Sequence, residues 1–339
     1  MRMCPALAAQ GHSVTLHTPR GEPAQVDDFT YYGAPRSFEI VKHRRFQVRV
    51  AAALLYAAQT RAYFQRTTLP ELFYARDIYS LAAVASLGVP FCLESHWRPK
   101  NAVQLRVERW LLGLPNCRKV VLISEALRDI YRELFPWFPP QKLVVAHDAA
   151  DEQPTADPNA QRSGGRLQVG YVGSFFKGYG IELVPRLAEL RSDFDFHVFG
   201  GDPDAVSAYR SANRQLSNLE FHGFVQPSQL AQAYAKLDVV LAPYQAGTPH
   251  IGWISPMKLF EYMSHAKPTV CSDFPVMREV LRHEQNALLV GADDEQAWCD
   301  ALTRLVDPEL RRRLATQALA DLRASHTWAA RARHVLQGL

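Results

Sequence analysis

The chain alternates short runs of β-branched and aromatic residues with longer amphipathic stretches along its whole length. This alternation is typical of parallel strands joined by helices, because a parallel connection needs a long crossover rather than a hairpin. It therefore predicts an α/β protein built on doubly wound parallel sheets. The predicted strands lie at 13–17, 72–75, 91–94, 119–123, 143–146, 167–172, 195–199, 219–221, 239–242, 269–271 and 287–290.

A polar stretch at 151–165 separates two sets of predicted strands. It contains Pro154, Pro158 and Gly164 and few apolar residues, which is the composition of a linker. A chain of 339 residues is long enough for two domains of about 150 residues each. We therefore predict one domain at 1–155 and a second at 156–325. We also expect a ligand-binding cleft between them, because open α/β sheets bind ligands at the carboxyl ends of their strands.

Charge, cysteine content and hydropathy exclude several classes of protein. The net charge of +4 is too small for a dedicated nucleic-acid binder, which carries a dense basic stripe. The five cysteines are far apart and form no C-x-x-C pair, so neither a disulfide framework nor a cysteine-based zinc site is predicted. The most apolar window, 51–58, is much shorter than the roughly 20 residues that span a bilayer. We expect a cytoplasmic protein.

Basic and apolar residues alternate in the region 36–66, where Glu39 is the only acidic residue. Two interpretations of this region remain open. It is either a peripheral membrane element that binds anionic headgroups at the inner face of a membrane, or an ordinary helix with a solvated basic face.

A glycine-rich loop follows the predicted strand 167–172. It contains Gly173, Gly178 and Gly180 and leads into a helical stretch at 181–190. Glycines let a backbone approach an anion closely, and the amides and dipole at a helix start favour phosphate. A structural turn without a ligand explains the pattern equally well, since the loop is neither a Walker loop nor a strict G-x-G-x-x-G.

A second candidate phosphate site begins at Ser255. Pro256 suits the first turn of a helix, where its missing N–H is no loss, and the next amides would face the cleft. Lys258 and Glu261 are three residues apart and share a helix face. A surface ion pair is the alternative interpretation of these two residues.

Several segments, in this order, resemble the glycosyltransferases of family four. Those in the second half are VGYVGSFFKGYGIEL, FHGFVQPSQLAQAYAKLDVVLAPY, SPMKLFEYMSHAKPTVCSDFPVMREVL and NALLV. Those in the first half are YARDIYSLAAVASLGVPFCLESHW, VVLISEALRDIY and QKLVVAHDAAD. The resemblance implies the GT-B fold, with two Rossmann-like domains and an interdomain cleft, and a retaining, metal-independent hexosyltransferase. It also implies that residues 326–339 form a helix that packs back on the first domain.

The same resemblance implies roles for individual residues. Glu261 matches the second glutamate of the family's E-x7-E motif, which holds the ribose hydroxyls of the donor. His96 matches the histidine that faces the transferred sugar, although a histidine with a purely structural hydrogen bond is equally consistent with the sequence. The implied catalytic residues are His96, Lys258 and Lys177. The implied donor-binding residues are Gly173, Ser174, Val225, Ser255, Pro256, Met257, Lys258, Leu259 and Glu261.

The sequence also departs from the family pattern. Trp253 stands eight residues before Glu261, where the family has its first glutamate, so the contacts to the sugar must differ. The arginine and lysine of the family's phosphate loop correspond to Ser174 and Tyr179, which leaves Lys177 and Lys258 as the available cations. Residues 1–16 resemble the end of the family's first helix and its second strand. Absence of the first strand and its glycine-rich loop would leave two exposed sheet edges, whether the gene start is shortened or the strand is lost.

The expected reaction moves a sugar from a nucleoside diphosphate sugar to a hydroxyl of a glycan or lipid-linked acceptor, with retention at the anomeric carbon. We expect it to serve cell-surface polysaccharide or glycolipid biosynthesis. Lysine charges and helix amides would stabilise the leaving diphosphate, so no metal or other cofactor is expected. Two alternatives remain open: a protein that binds the donor without turnover, and a sugar-nucleotide epimerase or phosphorylase on the same fold.

Overall fold

The computed structural model describes residues 1–21, 27–45, 49–154, 156–159 and 165–339, with the backbone alone for 49–51. The chain divides into two compact units. Unit 1 consists of Met1–Phe29, Ala34–His147 and Arg331–Leu339, and unit 2 consists of Thr30–Gly33 and Asp148–Ala330. The main boundary therefore follows His147, a few residues before the predicted linker.

The described strands of unit 1 form two parallel sheets. The first pairs β1 (Thr15–Pro19) with β2 (Glu39–His43). The second has the order β3-β4-β5-β6, and its strands are Phe73–Ala75, Phe91–Ser95, Cys117–Leu122 and Leu143–Val145. The helices of this half are α1 (Met3–Ala8), α2 (Asp28–Tyr32), α3 (Arg49–Phe64), α4 (Ile78–Ala85), α5 (Ala102–Gly113) and α6 (Glu125–Leu134).

The basic region 36–66 is not one helix, which corrects the interpretation of it as an ordinary helix. Its first part is the strand β2, whose His43 is buried, and only the second part is helical. Within the helix, the Arg61 guanidinium donates to the carbonyl of Ala83 and to the Ser86 hydroxyl. Phe46, Val48 and the side chain of Arg49 lie outside the described part of the structure. Among the described helices, none has the length and apolarity needed to cross a bilayer.

Unit 2 contains one parallel sheet of six strands in the order β12-β11-β10-β7-β8-β9. The strands β7 to β12 are Gln168–Val172, Asp195–Phe199, Leu219–Gly223, Val239–Ala242, Thr269–Ser272 and Leu288–Val290. The helices α7 to α13 are Leu183–Leu190, Pro203–Ala212, Leu230–Ala235, Met257–Ser264, Glu295–Arg304, Pro308–Asp321 and Trp328–Leu336. The last of them belongs to unit 1 from Arg331 onwards.

Buried side chains cover both faces of this sheet, because successive residues of a strand point to opposite sides. Tyr171 packs in a cluster with Trp298, whereas the next residue, Val172, packs in a cluster with Phe260. A glycine is required at position 170, just before Tyr171, since a Cβ atom there would lie 2.2 Å from the Leu237 side chain. The prediction of an α/β protein with two Rossmann-like, doubly wound domains is confirmed.

Candidate active site

The glycine loop brings the ends of two adjacent strands close together. The amide of Gly173 donates to the carbonyl of Phe199 at 2.9 Å. Gly200, which follows β8, has φ of 127°, and a Cβ atom there would lie 1.9 Å from the carbonyl oxygen of Gly173. A Cβ atom on Gly173 itself would lie 2.9 Å from Lys258 Nζ. Gly173 and Gly200 are therefore both needed for the ends of the two strands to lie this close together. Gly173 also leaves room for the side chain of Lys258.

Lys258 extends from α10 to this loop and ends in a cage of aromatic rings. Its side chain is buried, and its Nζ makes no hydrogen bond to any described residue. The Nζ atom lies 4.3 Å from the ring centroid of Tyr171, 4.9 Å from that of Tyr244 and 5.6 Å from that of Tyr179. Aromatic faces attract a cation, but they do not accept its N–H bonds as an oxygen anion does.

Burial lowers the pKa of Lys258 from 10.5 to about 7, against the opposing influence of Cys271 and Glu261. The reason is that a charged amine loses its hydration in the interior. An anion bound at Nζ would restore the missing partner and raise the pKa again. The cage is therefore suited to a charged ligand that enters from the glycine loop.

The helix that carries Lys258 begins at Met257, and no side chain caps its first turn. Pro256 is the residue immediately before the helix, rather than in its first turn. The amides of the first turn consequently have no side-chain acceptor, and such amides bind anions. Ser255 Oγ accepts a hydrogen bond from the amide of Asp148 at 2.9 Å, so this hydroxyl holds the backbone. Leu259 is buried in the core and presents only its backbone to a ligand.

Glu261 lies one turn beyond Met257 and is half-buried. Its Oε2 accepts a hydrogen bond of 3.3 Å from the hydroxyl of Tyr234, whose ring stacks on His265 at 4.1 Å. Val225 packs against the hydrophobic cluster that contains Tyr234. This arrangement fixes the direction of the Glu261 carboxylate.

Lys177 lies in the glycine loop and is exposed, as are Ser174 and Phe176. No hydrogen bond or ion pair joins Lys177 to another described residue. The loop around it is fixed, because the Thr248 hydroxyl donates to the carbonyl of Gly178 and a Cβ atom on Gly180 would lie 1.7 Å from a backbone oxygen. The exposed ammonium group of Lys177 thus extends from a turn that these contacts hold in place.

The predicted residue of the first unit, His96, has both ring nitrogens engaged. Its Nδ1 lies 2.9 Å from a guanidinium nitrogen of Arg76, and its Nε2 lies 2.6 Å from Glu94 Oε1. A guanidinium only donates, so Nδ1 is the acceptor and Nε2–H donates to the carboxylate. With its lone pair occupied in this way, His96 is not arranged as a general base.

Glu94 is the centre of this network. The Tyr74 hydroxyl donates to Glu94, and Arg331, which is also buried, lies 3.1 Å from Oε2. Burial by itself would raise the pKa of Glu94, but the hydrogen bond from His96 and the charge of Arg331 outweigh it and hold the pKa well below its usual range. A buried carboxylate therefore orients the histidine.

A cavity of about 190 Å³ opens beside His96. Its wall carries the cations Arg76, Arg98 and Lys100 and three acids, of which Glu94 and Glu108 are buried and Asp77 is exposed. Burial raises the pKa of Glu108 to about 7, although a 2.7 Å hydrogen bond from a tyrosine hydroxyl opposes this. The cavity therefore presents groups of both charges and suits a polyhydroxylated ligand.

Sequence reasoning missed several of these residues. A tyrosine that alternates with valine along a buried strand is typical of core packing, so Tyr171 gave no signal of a cation cage. Arg331 is an isolated arginine in an amphipathic helix, and nothing in its neighbourhood indicates a buried partner. Glu94 lies two residues before His96, and nothing in the sequence indicates that its side chain holds the histidine.

Two family models match the chain. The model of glycosyl transferases group 1 matches residues 166–308, and the model of glycosyltransferase family 4 matches residues 1–153. A curated relative, the phosphatidyl-myo-inositol mannosyltransferase of Mycobacterium leprae, is 27% identical over 158 residues. The matched stretch is 46% of this chain and 40% of the relative, so less than half of that protein is represented.

The fold also matches solved structures. Sucrose-phosphate synthase of Thermosynechococcus elongatus has a TM-score of 0.74 at 18% identity, with 97% of this chain and 89% of that chain covered. HepE of Anabaena, solved in complex with UDP and glucose, has a TM-score of 0.72 at 16% identity, with coverage of 100% and 96%. At these identities the likeness concerns the fold.

Proposed function

We propose that this chain, which belongs to the family-four glycosyltransferases of GT-B fold, transfers a sugar from a nucleoside diphosphate sugar to an acceptor hydroxyl with retention of configuration. The observation that carries the proposal is the Lys258 ammonium, buried at the glycine loop without a hydrogen-bond partner among the described residues. A buried cation without a partner is unfavourable, and the donor diphosphate is the anion that would supply one.

Three groups of one helix and one loop converge on the same anion. Lys258 provides the charge, the uncapped first turn that begins at Met257 provides amides, and the loop at Gly173 allows close approach of the backbone. The solved complex of HepE with UDP supports a diphosphate ligand for this fold. Lys177 is exposed on the same loop and is proposed to reach the outer phosphate oxygens.

Glu261 is proposed to accept hydrogen bonds from the donor ribose. Its carboxylate accepts a hydrogen bond from Tyr234, and two vicinal hydroxyls can donate to the two oxygens of one carboxylate. It follows Lys258 by almost one helical turn, so a single helix would hold both the phosphate and the sugar of the nucleotide.

The proposed mechanism stabilises the leaving group rather than activating the nucleophile with a side chain. His96 has no free lone pair, and we infer that the leaving phosphate itself receives the acceptor proton. Lys258, Lys177 and the helix amides would compensate the charge that develops on the diphosphate. Because these cations would supply the positive charge that the leaving diphosphate needs, the reaction is proposed to be independent of metal.

The acceptor is proposed to be a glycan or a lipid-linked glycan in surface polysaccharide or glycolipid synthesis. The polar cavity beside His96 would accept a polyhydroxylated group, and the curated relative is a phosphatidyl-myo-inositol mannosyltransferase. Contact with a membrane through the region 36–66 remains a prediction. It is supported by the exposure of Leu54 and Leu55, of which 61% and 41% of the surface is accessible. The alternatives of donor binding without turnover and of epimerisation are not favoured by the family matches.

Thermal unfolding with UDP, GDP and ADP, each with and without EDTA, tests the donor site. A ligand that binds only the folded state raises the melting temperature by mass action. One diphosphate is expected to stabilise the protein equally in both conditions. Loss of the effect in EDTA would contradict metal independence, and stabilisation by none of the three would contradict the donor site. Retention is then tested by supplying the matching sugar nucleotide and determining the anomeric configuration of the transferred sugar in the product.

A further inference from the structure

Unit 2 contains a second cluster of chemically active side chains, on the edge of its sheet. His197 lies on β8, and Glu220 and His222 lie two residues apart on the edge strand β9. His197 is in register with Glu220 in the parallel pairing, so all three side chains project from one face of the sheet. Among the residues that the structure describes, this is the one group of three or more histidine, cysteine or carboxylate side chains with ligand atoms close enough to share a metal ion.

The distances between the ligand atoms match a metal site. One atom from each residue lies within 4.8 Å of the other two. His197 Nδ1 is 3.1 Å from His222 Nε2 and 3.7 Å from Glu220 Oε2. Ligands that surround a tetrahedral zinc ion with bonds of about 2.0–2.1 Å are about 3.3–3.4 Å apart. Only small rotations would place one ion within bonding distance of all three residues.

Gln168 selects the form of His197 that binds a metal. The amide nitrogen of Gln168 donates to Arg166 and Asp195, which turns its Oε1 towards His197 Nε2 at 2.7 Å. His197 therefore carries its hydrogen on Nε2, and the lone pair of Nδ1 faces the cluster. A polar group that fixes the ligand tautomer from behind is the usual second contact of a metal-binding histidine.

The same geometry leaves an unfavourable contact when no ion is present. Because Nδ1 of His197 is an acceptor, the neutral ring of His222 must donate from Nε2, and its own Nδ1 then carries a lone pair. That lone pair faces Glu220 Oε1 at 3.5 Å. Two acceptors oppose each other there. An ion bound at His222 Nε2 would place the ring hydrogen on Nδ1, which could then donate to Glu220 Oε1. The ring of Phe199 stacks on His222 at 4.2 Å and holds it in place.

We propose that His197, Glu220 and His222 bind one divalent transition-metal ion of the zinc class, with water completing the coordination. Two imidazoles and one carboxylate are ligands that zinc prefers, whereas magnesium and calcium prefer oxygen alone. The ion would tie the edge strand β9 to β8, where it has a structural role separate from the proposed transfer reaction. The positive charges of Lys236 and Arg210 near His222 reduce the affinity for the ion.

The chain offers a matched control in its first unit. His17 and His43 lie on the adjacent parallel strands β1 and β2, with Nδ1 and Nε2 3.0 Å apart and ring centroids 5.3 Å apart. The corresponding centroid distance for His197 and His222 is also 5.3 Å. The control pair is surrounded by Tyr56, Tyr63 and Phe64 rather than by a carboxylate. The control pair therefore tests whether a stacked histidine pair without a carboxylate is sufficient to bind the metal ion.

The experiment is equilibrium dialysis of the full chain, without a histidine tag, against zinc chloride. We expect one zinc ion per chain and a higher melting temperature in its presence. Glu220→Gln and His222→Gln should lose this ion, and Gln168→Met should weaken binding about 10- to 100-fold through the tautomer. His43→Gln should bind zinc as the wild type does. Glu220 is largely exposed, so its substitution leaves the fold intact, which circular dichroism verifies.

Cobalt(II) provides a second measurement that does not depend on stability. Four- or five-coordinate cobalt bound by His197, Glu220 and His222 gives a visible absorption band, which should disappear in Glu220→Gln and remain in His43→Gln. The proposal is overturned if the wild type binds no zinc, if Glu220→Gln and His222→Gln bind it unchanged, or if His43→Gln abolishes binding equally.

Discussion

Replacing Lys258 by methionine is expected to stabilise the ligand-free protein while it removes donor binding. Methionine has a similar length and no charge, so it fills the tyrosine cage without an unpaired ammonium group. The substitution therefore separates the effect of Lys258 on the stability of the fold from its effect on donor binding. A lysine that held the structure together would show the opposite effect on stability.

The magnitude follows from the pKa of Lys258, which burial lowers from 10.5 to about 7. At about 1.4 kcal/mol per pH unit, the difference corresponds to roughly 5 kcal/mol of unfavourable free energy for the charged amine in the folded state. Relaxation and water penetration reduce this figure, and we expect a gain of about 2–4 kcal/mol at pH 6. Below pH 7 the amine is charged in both states and the penalty is complete. Between pH 7 and 10.5 only the unfolded state keeps its proton, so the stability of the wild type rises with pH.

Urea unfolding at pH 6 and at pH 9 measures this difference, and Lys177→Met on the same loop is the control. Lys258→Met should be clearly more stable than the wild type at pH 6, and its advantage should be smaller at pH 9. Lys177 is exposed, so Lys177→Met should change stability by less than about 0.5 kcal/mol. Loss of a charge-assisted hydrogen bond should weaken binding of the preferred diphosphate by about 1.5–3 kcal/mol. A less stable Lys258→Met protein that still binds the diphosphate normally would refute the reasoning.

The affinity of the wild type for the diphosphate should weaken as pH rises above about 7, because Lys258 must regain its proton to bind the anion. Titration calorimetry in buffers of different ionisation enthalpy should therefore show that the protein takes up a proton on binding. Glu261→Gln should reduce affinity for the nucleoside diphosphate by about 1–3 kcal/mol and leave inorganic pyrophosphate binding unchanged, which competition measurements distinguish. Glu94→Gln should destabilise the protein by about 3–5 kcal/mol in urea at pH 7, since it leaves Arg331 buried without its counter-charge; a loss below 1 kcal/mol would contradict the network. Glu108→Gln should be more stable than the wild type at pH 8 and similar at pH 4.5, because the raised pKa of about 7 makes wild-type stability fall as pH rises between those values; equal stability at both pH values would argue against burial as the cause.

Most strands of the second unit were predictable from local pattern because, like β7 and β10, they are buried on both faces. The predicted ranges 195–199 and 239–242 are the observed β8 and β10, and the other four differ by one or two residues at an end. The strand Glu39–His43 was missed. Its alternating charges and apolar residues in a basic region suggested a helix or a membrane element, and its pairing with β1 depends on residues distant in the chain.

The candidate site was predictable only in part. The positions of Lys258, Glu261 and Gly173 follow from a helix start and a glycine loop, and both are features of local sequence. The tyrosine cage depends on three rings from different parts of unit 2, and the orientation of His96 depends on Glu94 and Arg76. Such groupings arise from tertiary packing, which periodicity does not encode.

The assignment of Arg331–Leu339 to the first unit has a consequence for the order of folding during synthesis. Domains generally fold in turn as they leave the ribosome. Here the buried carboxylate of Glu94 lacks its guanidinium partner until residue 331 has been made, after all six strands of unit 2. A nascent chain stalled before that point should therefore hold a first unit that proteases still attack, next to a sheet that is already complete.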